Sequence, residues 1–334
     1  MKRIVECVPN FSEGRDRKVI DAITASIRAV AGAALLSVEP DADYNRCVVT
    51  FVGEPAAVQE AAFQAMKKAT ELIDMTAHKG EHPRLGATDV VPFIPVSGVT
   101  MADCVQLAEG FARRAAEELK VPIYLYEEAA RSAERRNLST IRKGEYEGLA
   151  EKLKDPAWAP DFGKAVFNAR SGATVAGARV FLIAYNVNLS TNSKDLAHEI
   201  ALRIRESGRT VKDHLGNGMK VPGSLLSVKA MGVALERFNI TQVSINLTNY
   251  NVTPPHVAFE EVRKEAEKLG FTVTGSEIVG LVPKEALLLA GRFYAGAAGA
   301  TFGEEELIRK AIAGLGLSHL ETFDPKKKII DYLI

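Results

Sequence analysis

The chain has 334 residues, 47% hydrophobic and 25% charged, a globular composition that needs no disulfide or metal staple and has room for two domains or one large one. Forty-two basic residues balance 42 acidic ones, so no net charge draws it to nucleic acid, while a local basic pocket for a small anion remains open. Cys7, Cys47 and Cys104 are far apart, odd in number and without a CxxC pair, which predicts reduced thiols.

The N-terminus, MKRIVECVPNF, has basic residues but no apolar run of signal-peptide length. No stretch approaches the ~18 apolar residues of a membrane span. The expectation is a soluble cytoplasmic protein with no membrane partner.

Taken in order, residues 3–8 read as a strand ending at Pro9. Residues 17–30 repeat apolar side chains at helical spacing through Val19, Ile23, Ile27 and Val30. Residues 34–38 and 46–52 read as strands. Pro55 opens a helix with Val58, Ala62, Met66, Ala69 and Ile73 on one face. Residues 90–96 form a strand. Thr100 and Asp103 have the spacing of a capping box for a helix reaching about Leu119, and 122–125 is a further strand.

The second half repeats this order. Strands are predicted over 180–187, 225–233, 241–247 and 271–274, and helices over 193–205 and 255–269. Both halves thus begin β-α-β-β-α-β, the split βαβ pattern. Each first strand ends in a similar tripeptide, Asn10-Phe11-Ser12 and Asn188-Leu189-Ser190. The fold class predicted is α+β, with two tandem ferredoxin-like α/β sandwich subdomains over 1–178 and 179–334. Between the halves, residues 137–177 are rich in Gly, Pro and charge but carry Trp158, Phe162 and Phe167. So many aromatics argue against a flexible linker and for an ordered connection touching both halves.

The stretch most suited to chemistry is the polar loop 77–89, with His78, Lys79, Glu81, His82 and Arg84 between a helix and a strand. His78-x-x-Glu81-His82 matches the inverted zincin pattern, but Gly80 and Pro83 disfavour the helix that such a zinc site needs. Surface histidines in a polar loop are the plain alternative. The catalytic reading makes an imidazole the proton carrier, with Lys79 and Arg84 holding an anionic substrate. A carboxylate commonly orients such a base, and Glu39, Asp41 and Asp43 at a strand end are the candidates. Asn45 and Arg46 come directly after and can serve the same pocket.

Several long strings resemble the glutamate formiminotransferase family. They are Val5-Glu6-Cys7-Val8-Pro9-Asn10-Phe11-Ser12-Glu13-Gly14, Leu72-Ile73-Asp74-Met75, His78-Lys79-Gly80-Glu81-His82-Pro83-Arg84 and Pro92-Phe93-Ile94-Pro95-Val96. Pro122-Ile123-Tyr124-Leu125-Tyr126, Gly144-Glu145-Tyr146-Glu147, Trp158-Ala159-Pro160-Asp161-Phe162-Gly163 and Val279-Gly280-Leu281-Val282-Pro283 fit as well. The resemblance runs nearly end to end, closing on Ile329-Ile330-Asp331-Tyr332-Leu333.

The resemblance implies transfer of a formimino group from N-formimino-L-glutamate to tetrahydrofolate as co-substrate, in histidine breakdown, by a homodimer without a metal. It makes His82 the catalytic histidine, and Glu39 stands where the family has an aspartate partner; Asp41 is the substitute. The folate segment corresponds to Gly163, Lys164, Ala165, Val166, Phe167, Asn168, Ala169, Arg170, Ser171 and Gly172. Its ends and Phe167 fit the family form, whereas Lys164, Asn168, Arg170 and Ser171 depart from it. Asn10, Arg46, Lys79 and Arg84 join the substrate-binding set. Animal members carry a further cyclodeaminase domain; the chain stops before it, so that activity is expected to be absent or on another protein.

Rival expectations are formyl transfer from N-formylglutamate, a zinc peptidase using His78, Glu81 and His82, and a non-catalytic folate binder. An ATP-dependent folate cyclo-ligase is disfavoured by the lack of a GxxxxGK[ST] loop.

Overall fold

A computed structural model describes residues 2–42, 44–80, 82–212, 217–235 and 240–334. The chain forms two compact units, Met1–Val180 and Phe181–Ile334. Among the described residues, no helix is long and apolar enough to cross a membrane.

In the first unit, β1 (Ile4–Cys7) and β2 (Asn10–Phe11) are two parts of one strand direction. They are parted at Pro9, which has no N–H for a ladder. The helix α1 (Arg17–Arg28) starts where Asp16 accepts from the backbone N–H of Lys18 and Val19. Strands β3 (Ala33–Asp41) and β4 (Arg46–Gly53) form a hairpin. Then come α2 (Pro55–Leu72), opened by its proline, and β5 (Thr88–Ser97). The order β3-β4-β1/β2-β5, antiparallel throughout, is the one a βαββαβ chain produces.

Helix α3 (Met101–Leu119) begins with the expected Thr100–Asp103 capping box. It leads to β6 (Ile123–Glu127), α4 (Leu138–Arg142), α5 (Glu145–Lys152) and β7 (Thr174–Ala178). Strand β7 lies between β5 and β6 and is parallel to both.

Alternation along the strands divides the sheet into two faces. Val5, Cys7, Phe11, Val49, Phe51, Val91 and Phe93 pack against α1, α2 and α3, so Glu6, Asn10, Arg46, Val48 and Glu39 fall on the opposite face. Part of that opposite face is covered by the segment between α3 and β7. Ile141, Leu149 and Leu153 pack there with Val90, Tyr124, Tyr126 and Val175. Trp158 lies edge-on to Tyr124 at 6.5 Å, and Phe167 lies 5.5 Å from Tyr146. Its aromatics are the anchors of an ordered cover over the first unit's own sheet.

The second unit repeats the plan with β8 (Ile183–Leu189), α6 (Lys194–Ile204), β11 (Val228–Leu235), β12 (Ile240–Leu247), α7 (Pro255–Lys268) and β13 (Val273–Val279). Its sheet order, β11-β12-β8-β13, is that of the first unit. Periodicity did not predict the inserted hairpin of β9 (Arg209–Lys212) and β10 (Gly218–Val221). Nor did it predict α8 (Lys284–Ala295), α9 (Glu304–Leu315) or α10 (Pro325–Lys328). The last predicted strand, 271–274, shifts to Val273–Val279 because its ladder with β8 carries it through Gly275, Ser276 and Glu277.

The paired tripeptides occupy equivalent places. Phe11 and Leu189 are buried under the helices of their units. The Ser12 N–H donates to Ala87 O at 2.9 Å, just before β5; the Ser190 N–H donates to Thr272 O at 2.8 Å, just before β13. The repeat therefore extends to single hydrogen bonds, and only the first unit carries the long histidine loop at this junction.

Candidate active site

The histidine loop is held at three places. The first is the β3–β4 turn. Asp41 accepts from the Tyr44 N–H at 2.9 Å, and Asn45 comes next, in the left-handed region with φ 47°. The Asn45 side chain accepts from the Gly14 N–H at 3.0 Å and donates to Lys79 O at 2.9 Å. Gly80 lies so close that a Cβ there would come within 2.3 Å of Tyr44 O. A glycine is needed at 80 for this approach.

His78 completes this contact. Its Nε2 lies 2.9 Å from Asn45 O, a pure acceptor, so Nε2 carries the proton. Nδ1 then accepts from Arg84 Nε at 3.3 Å. Burial lowers its pKa, in keeping with a neutral ring. Both ring nitrogens are engaged with the protein and neither offers a lone pair to zinc. Glu81, the middle residue of that pattern, and Asp43 lie outside the described residues.

The second anchor is the start of α5. Arg84 makes a two-pronged contact with Glu147, at 2.8 and 2.6 Å, and reaches Glu145 at 3.1 Å. These hydrogen bonds, Glu147 first, raise its pKa further. The sequence suggested Arg84 as a clamp for a substrate carboxylate. Its side chain is instead 6% exposed, with the guanidinium committed to the protein's own carboxylates. Lys79 is exposed beside a cleft that also carries Glu145 and Glu147, whose charges oppose an anion.

The third anchor is residues 163–172. Gly86 and Gly172 form an antiparallel bridge. The Ala87 N–H donates to Ser171 O at 2.9 Å and the Ala173 N–H to Leu85 O at 3.0 Å. Ser12 Oγ donates to Gly86 O at 2.8 Å from the N-terminal strand. Gly172 has φ 66°, and a Cβ there would lie 2.1 Å from Leu85 O. Tyr146 Oη donates to Ala169 O at 2.5 Å, and Arg170 donates to Glu71 O at 2.9 Å. Asn168 Oδ1 accepts from the Ser171 N–H at 3.0 Å. Gly163, Lys164, Ala165 and Val166 are exposed, with Val166 63% accessible, so the segment presents one open edge and one anchored edge.

His82 is half-buried, 6.0 Å ring to ring from Tyr44. Burial first, and then the Arg46 and Arg142 guanidinium groups, push its pKa down to about 2. Arg46 Nη1 donates to Asn10 Oδ1 at 2.8 Å, while its Nε is buried with no partner among the described residues. Burial and the charge of Arg142 lower the Arg46 pKa. Arg142 ion-pairs with Asp89, which also accepts from the Leu85 N–H at 2.9 Å.

The expectation of a carboxylate beside the imidazole meets a different arrangement, because the charges that act most on His82 are guanidinium groups. Asp41 stands opposite Arg46 in the β3–β4 register and caps the turn at Tyr44. Glu39 accepts from Ser37 Oγ at 3.1 Å. Arg142, Asp89 and Tyr44 were missed from sequence. Arg142 sits in a charged stretch where nothing distinguishes it from Lys143, and only packing of α4 on the sheet brings it to the loop. The neutral imidazole can accept a proton, and the buried Arg46 Nε offers an unmet donor to a carboxylate.

Residues 4–179 match the family description "Formiminotransferase domain, N-terminal subdomain", and residues 184–334 match "Formiminotransferase domain". The chain belongs to the formiminotransferase family. It is 45% identical to a glutamate formimidoyltransferase of Streptococcus pyogenes serotype M1, covering 88% of this chain and 94% of that protein. A glutamate formimidoyltransferase of Thermoplasma acidophilum is 46% identical, covering 87% and 92%. A formimidoyltransferase-cyclodeaminase of Dictyostelium discoideum is 52% identical over all of this chain, which spans 61% of that protein's length.

Two measurements test this geometry. Gly172→Ala forces a side chain into a left-handed backbone against Leu85 O, and a loss of about 2 kcal/mol in denaturant unfolding is expected. NMR titration of the His82 ring in the ligand-free chain will show it neutral across pH 5–8, because its folded pKa is depressed far below the ordinary value near 6.5. A bound carboxylate that offsets Arg46 will move the midpoint upward. A free-protein midpoint near 6.5 contradicts this cationic cage.

Proposed function

We propose that this chain transfers the formimino group of N-formimino-L-glutamate to tetrahydrofolate, giving 5-formiminotetrahydrofolate and L-glutamate. The observation that carries the reading is His82, neutral and flanked by Arg46 and Arg142, on a loop bonded directly to residues 163–172. Family membership and the names of the relatives favour formimino over formyl transfer.

N5 of tetrahydrofolate attacks the formimino carbon, and a tetrahedral intermediate forms with a proton to lose on N5. His82 takes that proton and returns it to the glutamate nitrogen, the C–N bond to glutamate breaks, and the amine leaves neutral. Arg46, through the Nε that has no partner among the described residues, receives a substrate carboxylate, while Arg142 stays paired with Asp89. That carboxylate offsets the charge of Arg46 and raises the basicity of His82 when substrate is bound. Residues 163–172 hold the folate by backbone and by Phe167, with Asn10 fixing Arg46. Glu39 and Asp41, on the same sheet face as Arg46, are the candidates for steadying the imidazolium that forms. The working protein is a homodimer in the cytoplasm, and the two subdomains divide near residue 178.

General acid–base catalysis contributes about 10²- to 10⁴-fold, roughly 3–5 kcal/mol of barrier. His82→Ala is expected to lose that much turnover while tetrahydrofolate still binds, measured by the spectrum of the folate product and by direct titration. Near-normal turnover in this variant overturns the assignment. Glu39→Gln and Asp41→Asn, assayed side by side, identify the carboxylate: the variant with the larger fall in kcat marks it.

A further inference from the structure

The turn that joins β3 to β4 carries one large side chain that the turn itself does not require. Asp41 and Asn45 are residues a turn favours; Tyr44 is not. Its backbone is pinned on both sides. The Tyr44 N–H donates to Asp41 at 2.9 Å, its carbonyl oxygen lies against Gly80, and Asn45 beyond it bonds to Gly14 and Lys79. The side chain is half-buried, yet it joins none of the hydrophobic clusters of its unit.

Two polar groups meet the ring instead. The Arg46 guanidinium lies over it at 5.8 Å from the centroid, and the His82 ring lies at 6.0 Å, tilted by 60°. A phenol ring offers its negative face to a cation and packs at a tilt against a second ring. It holds the guanidinium without cancelling the charge, which a carboxylate would do. Asn10 fixes Arg46 at another point, Nη1. Held by an amide and a ring, the guanidinium keeps a defined direction for its Nε, which has no partner among the described residues.

We propose that Tyr44 is a positioning residue for the transfer: its ring sets the Arg46 guanidinium and the His82 imidazole relative to one another, so that a substrate carboxylate and the group that takes the proton are fixed together. The substrate concerned is N-formimino-L-glutamate. Its α-carboxylate sits on the carbon that bears the reacting nitrogen, whereas the carboxylates of tetrahydrofolate lie at the far end of its tail from N5. Only the first comes within reach of an arginine that shares a ring contact with the proton acceptor. The inference rests on the transfer reading and adds to it a residue that acts through Arg46 and His82.

Steady-state kinetics of the full chain with both substrates test this. Tyr44→Leu, confirmed folded by thermal midpoint, is expected to raise the KM for N-formimino-L-glutamate about 10-fold. The KM for tetrahydrofolate stays within about 2-fold of its unsubstituted value, its contacts being independent of the ring. Tyr44→Phe returns the ring and recovers most of the loss. In an Arg46→Lys background Tyr44→Leu adds less than about 2-fold, because the planar guanidinium that the ring holds is gone. If Tyr44→Leu does not fold, Tyr44→trifluorophenylalanine decides: fluorine strips the negative face of the ring and keeps its shape, so the same KM rises relative to Tyr44→Phe. A fall in kcat with that KM unchanged in folded Tyr44→Leu marks a merely structural ring and overturns the proposal. Equal rises of both KM values overturn it too. An unsubstituted chain with no turnover of the two substrates overturns the transfer reading itself, and this inference with it.

Discussion

The close backbone contact at Gly86 and Gly172 is the constraint on which the first unit's site depends. A side chain at either residue would drive a Cβ to within 2.3 Å of a carbonyl oxygen, from Ser171 or Leu85. With glycine at both, two loops more than 80 residues apart in sequence share a short ladder, and Ser12 ties the N-terminal strand to the same point. The ladder carries the histidine loop and the exposed edge of 163–172 as one body. A geometric link of this kind matters for group transfer, where much of the rate comes from holding two reactants in line.

Charge is the second organising element. The chain is neutral overall, yet Arg46, Arg142 and Arg84 converge around one imidazole. Arg84 is neutralised by Glu145 and Glu147, and Arg142 by Asp89. Arg46 keeps an Nε with no partner among the described residues, and its charge acts on the half-buried His82. Local burial sets this, because desolvation and like charge both disfavour imidazolium. The two histidines of one short loop have thereby separated in role. His78 has both nitrogens in hydrogen bonds that shape the loop; His82 has its ring 6.0 Å from that of Tyr44 and lies in the field of the guanidinium groups.

Duplication gives each unit the same core strand order and the same asparagine–aromatic-or-leucine–serine corner, and the first unit adds β7 and β6 at the β5 edge. The units differ in the connection that enters the last core strand. The first places the histidine loop before β5; the second goes from α7 to β13 in four residues and instead sets amides and a carboxylate on the sheet face. One fold thus offers two polar faces of different chemistry, one cationic and one built from amides around a single carboxylate.

Much of this was legible in the sequence. Periodicity predicted nearly every element of the two βαββαβ cores, and the Thr100–Asp103 spacing predicted the cap, since these are local effects of side-chain alternation and backbone hydrogen bonding. The loop at 77–89 was marked by residue type, and Gly80 and Pro83 already argued against a helical metal site. What the sequence could not determine was which charges meet. Arg84 looked like a free clamp until Glu145 and Glu147 were brought to it, and Arg142 looked like one charge among many until α4 packed on the sheet. Local sequence determines helices, strands and caps because their bonds close within a few residues. Pairing across 50 to 90 residues, and the burial that sets each charge, come into being only when the sheets close.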